Sequence, residues 1–132
     1  MKNHHFSPAI HQSTAPFSHL VRDGDTGYVS GIIGQRPEDG ALVSDDIAEQ
    51  CTAMLRNVET LLAELGLTLT NLLRTTIYLT DYKDFGVIND IYAAALKAPY
   101  PARTTLQVSG LPLGAKVQID AVLTMNEHVD LS

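Results

Sequence analysis

Leu72-Leu73-Arg74-Thr75-Thr76-Ile77-Tyr78-Leu79 is a β-branched run bounded by turn-forming residues, and it reads as a strand. Thr80-Asp81-Tyr82-Lys83-Asp84 then carries helix-start signals. From Phe85 to Ala98 the apolar residues Phe85, Ile88, Tyr92 and Leu96 recur at the spacing of one helical face. Pro99 and Pro101 end that helix. Arg103–Val108 returns to strand pattern. A strand, a helix and a second strand in this order call for a helix lying on one face of a sheet.

The chain downstream completes the sheet. Leu111-Pro112-Leu113-Gly114 is a connection, and Val117–Leu123 is the last strand. Val117, Ile119, Ala121 and Leu123 alternate with Gln118 and Asp120, so the apolar set takes one face and the polar pair the other. In the strand before it, Leu106 and Val108 share one face, and Arg103, Thr105 and Gln107 share the other. Matching apolar face to apolar face predicts that Arg103 and Asp120 both point away from the helices.

Upstream lies the clearest helix. Ile47, Cys51, Met54, Leu55, Val58, Leu61, Leu62 and Leu65 form a single apolar stripe. Asp46 with Glu49 fits a capping box at its start, and Gly66 supplies a left-handed residue at its end. Cys51 and Met54 sit on the stripe and read as core. Further upstream, Phe17–Gly34 is a hairpin turning at Gly24-Asp25-Thr26-Gly27. Within it Ser30-Gly31 interrupts a strand. That break marks either a close backbone approach or a β-bulge. Phe6–His11 is a short extended segment, and Glu127–Ser132 reads as a frayed tail. The expected fold is α+β: one domain over 1–132, a six-stranded mixed sheet with two helices on one face. The uncovered face carries Thr, Gln and a few apolar residues, which points to self-association.

Composition narrows the function classes. The chain is 45% hydrophobic and 18% charged, enough apolar material for a core and too little charge for disorder. No apolar run approaches the ~20 residues of a membrane span, and no signal-peptide segment opens the sequence. With Cys51 as the single cysteine there is no internal disulfide, so the expected compartment is the cytoplasm. The net charge of −6, with nine basic residues scattered singly, lacks the footprint of a nucleic-acid binder. The five histidines show no metal-ligand spacing with one another or with Cys51.

Arg103 and Asp120 are the strongest chemical pair. A guanidinium grips a carboxylate or phosphate with a planar fork of donors, and a nearby carboxylate can accept a proton from water. The alternative is that the two form a structural ion pair. Asn89 stands beside the stripe of its helix. It serves either a ligand or a local hydrogen bond to a neighbouring loop.

Taken in order, these segments resemble the RidA/YjgF family. The residues that carry the likeness are Pro16-Phe17-Ser18-His19, Ser30-Gly31-Ile32-Ile33 with Pro37 and Gly40, and Leu55-Arg56-Asn57. They continue through Thr75–Asp81, Phe85–Tyr92, and Pro101-Ala102-Arg103-Thr104 with Leu111-Pro112 and Val117–Asp120. The resemblance implies a chorismate-mutase-like fold, a homotrimer with clefts between subunits, and no cofactor. It implies hydrolysis of reactive 2-imino or enamino acids, of the 2-aminoacrylate type, to 2-keto acids and ammonia. Arg103 would hold the substrate carboxylate and Asp120 would position or activate water. Phe17, Ser30, Gly31, Asn89 and Thr105 would line the cleft. The partner would be a small imino or keto acid, with no nucleic acid and no membrane. This sequence departs from the family pattern at Phe17 for Tyr, Ile32 for Gln, Thr105 for Cys and Asp120 for Glu. Two other readings stay open beside the deaminase: a non-catalytic carboxylate binder or regulatory trimer, and a ribonuclease or translation inhibitor, against which the acidic charge argues.

Overall fold

A computed structural model describes residues 2–126. Its strands are β1 (Lys2–His5), β2 (Leu20–Asp23), β3 (Thr26–Ile32), β4 (Leu72–Leu79), β5 (Ala102–Gln107) and β6 (Val117–Thr124). Helix α1 (Ile47–Ala63) lies between β3 and β4, and α2 (Phe85–Leu96) between β4 and β5. The six strands form one sheet in the order β1-β2-β3-β6-β4-β5. All neighbours are antiparallel except β4 and β5, which are parallel and joined through α2. The sheet is therefore mixed and the fold is α+β, as the sequence pattern requires.

Helix α1 begins where the carboxylate of Asp46 accepts the Glu49 N–H at 2.9 Å. The reciprocal half of a capping box is replaced by a bond from Ser44 Oγ to the Glu49 carboxylate at 3.2 Å. Past its end, Gly66 takes φ +73°, a conformation that glycine adopts without strain. Cys51, Met54, Val58, Leu61 and Leu62 are fully buried against Ile77, Leu79, Ile119 and Leu123 of the sheet. Polar residues fix α1 as well. Asn57 Nδ2 donates to the carbonyls of Ile33 (3.3 Å) and Gln35 (3.0 Å). Gln50 donates to the Ser44 carbonyl and accepts from the Lys116 N–H. Here the loop after β3 passes so close to α1 that a Cβ on Gly34 would lie 2.5 Å from the Gln50 carbonyl oxygen. No side chain fits that gap.

Three expectations are corrected. The first strand is Lys2–His5, and Phe6–His11 lies in the turns and loop after it. Edge pairing with β2 needs free backbone N–H groups, which Pro8 cannot supply. The first strand of the hairpin starts at Leu20, not Phe17. The third correction concerns direction. Arg103, Thr105 and Gln107 point toward the helices, because β5 pairs with β4 so that Arg103 stands opposite buried Thr75 and Thr105 opposite buried Ile77. The polar side of β5 survives there because it is an edge strand, only partly covered by α2. The pattern of β5 alone, matched apolar to apolar, inverts this. The tail at Glu127–Ser132 lies outside the described residues. Among the described residues no helix is long and apolar enough to cross a membrane.

The Ser30-Gly31 interruption is a bulge. Val29 pairs with Ala121 and Ile32 with Ile119, so two residues of β3 oppose Asp120 alone. A close approach also exists, since a Cβ on Gly31 would meet the Gln118 side chain at 2.7 Å.

Candidate functional site

Two cross-strand rows organise the sheet. Arg103, Thr75, Ala121 and Val29 form one row on the helix side. Thr104, Thr76 and Asp120 form the next row, which faces away from the helices and ends at the Ser30-Gly31 bulge. Arg103 and Asp120 thus lie two strands apart and on opposite faces. They are neither an ion pair nor, within one chain, two walls of one small site.

Arg103 is held in place by α2. Its guanidinium carbon lies 4.7 Å from the ring centroid of Tyr92 and 5.7 Å from that of Phe85. Such stacking fixes the plane of the fork while leaving its edge free to bond. Nε donates to Thr105 Oγ1 at 3.0 Å, so this hydroxyl orients the arginine. Nη2 is buried and has no partner. Beside the fork opens a cavity of about 270 Å³ lined by Asn89, Tyr92, Ala93, Tyr100, Pro101 and Arg103. The expected loop hydrogen bond of Asn89 is not formed among the described residues, and its side chain borders this cavity instead. Phe85, expected in the core, is 39% exposed and stacks beside the arginine.

The electrostatics around Arg103 are set mainly by burial. Burial pushes the Cys51 thiol up to about 11, against the pull of the Arg103 charge, so the thiol stays protonated and inert. Burial also raises Tyr92, opposed by its hydrogen bond to Thr75 and by Arg103. The Tyr92 hydroxyl shares a 2.7 Å hydrogen bond with Thr75 Oγ1 inside the core. That bond turns the ring, not the hydroxyl, toward the guanidinium.

The other named residues gather elsewhere. Phe17 and Gly31 line a second cavity of about 490 Å³ with Gln118, Gln35, His11 and Leu113. Ser30 turns its hydroxyl away to the Ser18 carbonyl at 2.6 Å, a structural use. Ile32 is in the core, so its departure from the family's Gln does not touch this cavity. Asp120 accepts a 2.7 Å hydrogen bond from the Tyr78 hydroxyl on the open face. That bond, then burial and the carboxylate's charge, raise the Tyr78 pKa. Sequence reading gives Tyr78 no part beside Asp120, which the structure supplies. Its only signal was a tyrosine two positions from Thr76 on the polar side of β4. No cluster of three or more His, Cys, Asp or Glu able to hold a metal exists among the described residues.

The chain is a small α+β domain whose edge-strand arginine is stacked on aromatic rings beside a cavity. The sequence profile described as Endoribonuclease L-PSP matches residues 7–125. The chain belongs to that family, which is the RidA/YjgF family. The 2-iminobutanoate/2-iminopropanoate deaminase of Homo sapiens is 40% identical over 107 residues, covering 81% of this chain and 78% of the human one. The chloroplastic Reactive Intermediate Deaminase A of Arabidopsis thaliana is 37% identical over 110 residues, 83% of this chain. The match spans 59% of that longer protein. A Rid-family protein of Yersinia pestis, of unknown function, superposes with a TM-score of 0.90 at 33% identity, covering 94% of this chain and 99% of that one.

Proposed function

We propose that the protein hydrolyses 2-imino acids and their enamine tautomers to 2-keto acids and ammonia. The observation that carries the reading is the Arg103 fork, stacked on Tyr92, steered by Thr105 and with Nη2 buried and unpartnered beside a cavity. Arg103 lines that cavity, and a guanidinium is the side chain best suited to receive an oxyanion there. The deaminase names of the human and Arabidopsis relatives support the same reading.

The chemistry asks little of the protein. A protonated imine carbon is already electrophilic. Holding the carboxylate at Arg103 presents that carbon to one ordered water. The water oxygen bonds to the carbon, and a proton moves from the added water to nitrogen. The C–N bond then breaks as the remaining hydroxyl proton passes to the departing ammonia, giving the keto acid and ammonium. Asp120 is the carboxylate assigned to position that water. Because it leaves the opposite sheet face, we place it in a cleft completed by a second chain of a homotrimer, with Phe17 and Gly31 on the same side of that cleft. Exposed Tyr28 and Leu106 on the open sheet face fit packing between copies.

The test generates 2-iminopropanoate from serine with a dehydratase and follows keto-acid release. Wild type should accelerate it and Arg103→Ala should do so far less; equal rates for the two sink the deaminase reading. One observation favours a non-catalytic carboxylate binder instead: the Asp120 carboxylate is engaged by Tyr78 and faces away from Arg103. Carboxylate binding with no hydrolysis by wild type would decide for it. Ribonuclease activity, which the family description names, has the acidic charge of −6 against it.

A further inference from the structure

Between β1 and β2 the chain makes a long excursion that touches the end of α1 and the loop after β3. Among the described residues, no backbone–backbone hydrogen bond joins Ser7–Phe17 to another part of the chain. Three bonds through side chains hold it instead. Ser7 N–H donates to His19 Nδ1 at 2.8 Å, and His19 Nε2 donates to the His11 carbonyl at 3.2 Å. The third runs from Ser7 Oγ to the Glu64 carboxylate at the end of α1. One imidazole ring thus makes two of the three ties. Ile10, buried in the core, and the His11 ring, seated where Gly40 has no side chain, add packing.

The ring can make both ties only while neutral, because one nitrogen must accept and the other must donate. A second proton turns Nδ1 into a donor facing the Ser7 N–H and leaves a charge on a buried ring. The titratable groups facing His19 are His5 of β1, His11 of the segment itself and Glu64 of α1, while β3 contributes Ser30, which does not titrate. Burial acts most strongly and favours the neutral ring. His5 and His11 act the same way, and the His11 carbonyl and Glu64 oppose them. Glu64 is already shared between Ser7 and His5, whose Nε2 lies 3.1 Å away. A charge on His5 would strengthen that contact, so β1 keeps its place when His19 is protonated.

The segment rejoins the sheet at the bulge. Ser30 N–H donates to the His19 carbonyl at 3.0 Å, and Ser30 Oγ donates to the Ser18 carbonyl at 2.6 Å. Ile10, His11, Ser13 and Phe17 wall a small chamber against Gly31 and Asn57. Movement of the segment therefore carries Phe17 away from Gly31.

We propose that Ser7–Phe17 is a strap latched by neutral His19, and that protonating His19 releases it and with it the Phe17 side of the cleft. The release stands on hydrogen bonds within one chain; its effect on turnover rests on the deaminase reading. An imidazole that is neutral when latched and free to charge when released favours opening as pH falls. Opening grows by up to about tenfold per pH unit below about 6.5, until the latched ring itself takes up the proton.

Hydrogen exchange in the full chain reads the latch at the Ser7 and Ala9 N–H groups, whose acceptors are His19 Nδ1 and Ser7 Oγ. Corrected for the intrinsic pH dependence of exchange, their protection in wild type should fall about tenfold from pH 7.5 to pH 5. The amides of α1 should stay far better protected at both pH values. His19→Gln keeps an acceptor that does not titrate and should hold its protection at pH 5. Over the same interval kcat/KM of wild type for 2-iminopropanoate, taken relative to His19→Gln, should fall at least about twofold, the loss expected once half of the chains are open. Unchanged wild-type protection at pH 5 overturns the latch, as does an equal loss in His19→Gln, or exchange of Ser7 at the rate of the α1 amides. A constant turnover ratio overturns its hold on the cleft. If protection shifts as expected but wild type hydrolyses the imine no faster than buffer, the strap stands and the deaminase reading falls.

Discussion

Arg103 and Asp120 leave the sheet on opposite faces: Arg103 stands in the row of Thr75 beneath α2, and Asp120 in the row of Thr76 on the open side. A substrate small enough to be an imino acid cannot touch both in one chain. If both act, each site draws one residue from each of two copies. Arg103→Ala should then lower kcat/KM by about tenfold to a hundredfold, the worth of a charge-assisted hydrogen bond to the ligand. Asp120→Ala should be impaired through kcat. Mixed in equal amounts and refolded together, the two impaired chains should recover about a quarter of wild-type activity, because random pairing in a ring joins the two intact residues in that share of clefts. Activity no higher than the separate variants would show that the two residues do not share a site.

The sequence made the elements legible and the directions less so. The stripe of α1, its Asp46 cap and Gly66, the alternation of β6 and the break at Ser30-Gly31 all follow from local chemistry, and the structure keeps them. The facing of β5 does not follow from local chemistry. Its alternation fixes which residues share a face, but the parallel register with β4 decides which face meets α2. An edge strand half covered by a helix tolerates Arg103 and Thr105 on the side where a central strand demands Ile77 or Ile119. The Tyr78–Asp120 bond was hidden for a similar reason, since it joins residues far apart in sequence across a diagonal of two strands.

That bond predicts a positioning role for Tyr78. Its hydroxyl donates to Asp120 Oδ2 at 2.7 Å on the open face. Tyr78→Phe deletes the donor and keeps the ring. A net hydrogen bond of this kind is worth about 0.5–1.5 kcal/mol, so kcat should fall about twofold to tenfold with KM little changed. Tyr78→Phe should have no further effect in an Asp120→Asn background. Equal losses in both backgrounds would show that Tyr78 acts by another route.

Asn57 carries a prediction about stability. It is buried, and its amide donates to the carbonyls of Ile33 and Gln35, tying α1 to the loop that leaves β3. Asn57→Leu keeps the approximate volume but strands both carbonyls. An unsatisfied buried polar group costs about 1–3 kcal/mol. Urea unfolding should therefore show a loss of roughly 2–3 kcal/mol, with an unchanged m-value. A loss below about 1 kcal/mol would mean that the loop finds other donors.

His19 predicts how stability follows pH. It is buried. Nδ1 accepts the Ser7 N–H at 2.8 Å, and Nε2 lies 3.2 Å from the His11 carbonyl, which fixes the neutral ring with its proton on Nε2. Burial, the largest cause, lowers its pKa below the ordinary 6.5. The His5 and His11 charges act the same way, while the His11 carbonyl and Glu64 oppose them. The unfolded chain therefore binds this proton at a higher pH than the folded one. Stability from His19 is complete above about pH 6.5 and is lost as pH falls through the lower folded value. Protonation would also set an N–H⁺ against the Ser7 N–H, loosening the segment that runs on to Phe17. The melting temperature of wild type should fall between pH 7.5 and pH 5. His19→Gln keeps an acceptor for Ser7 and removes the titration, so it should start lower and show a flatter profile over that interval. Parallel profiles for the two proteins would assign the acid sensitivity to other groups.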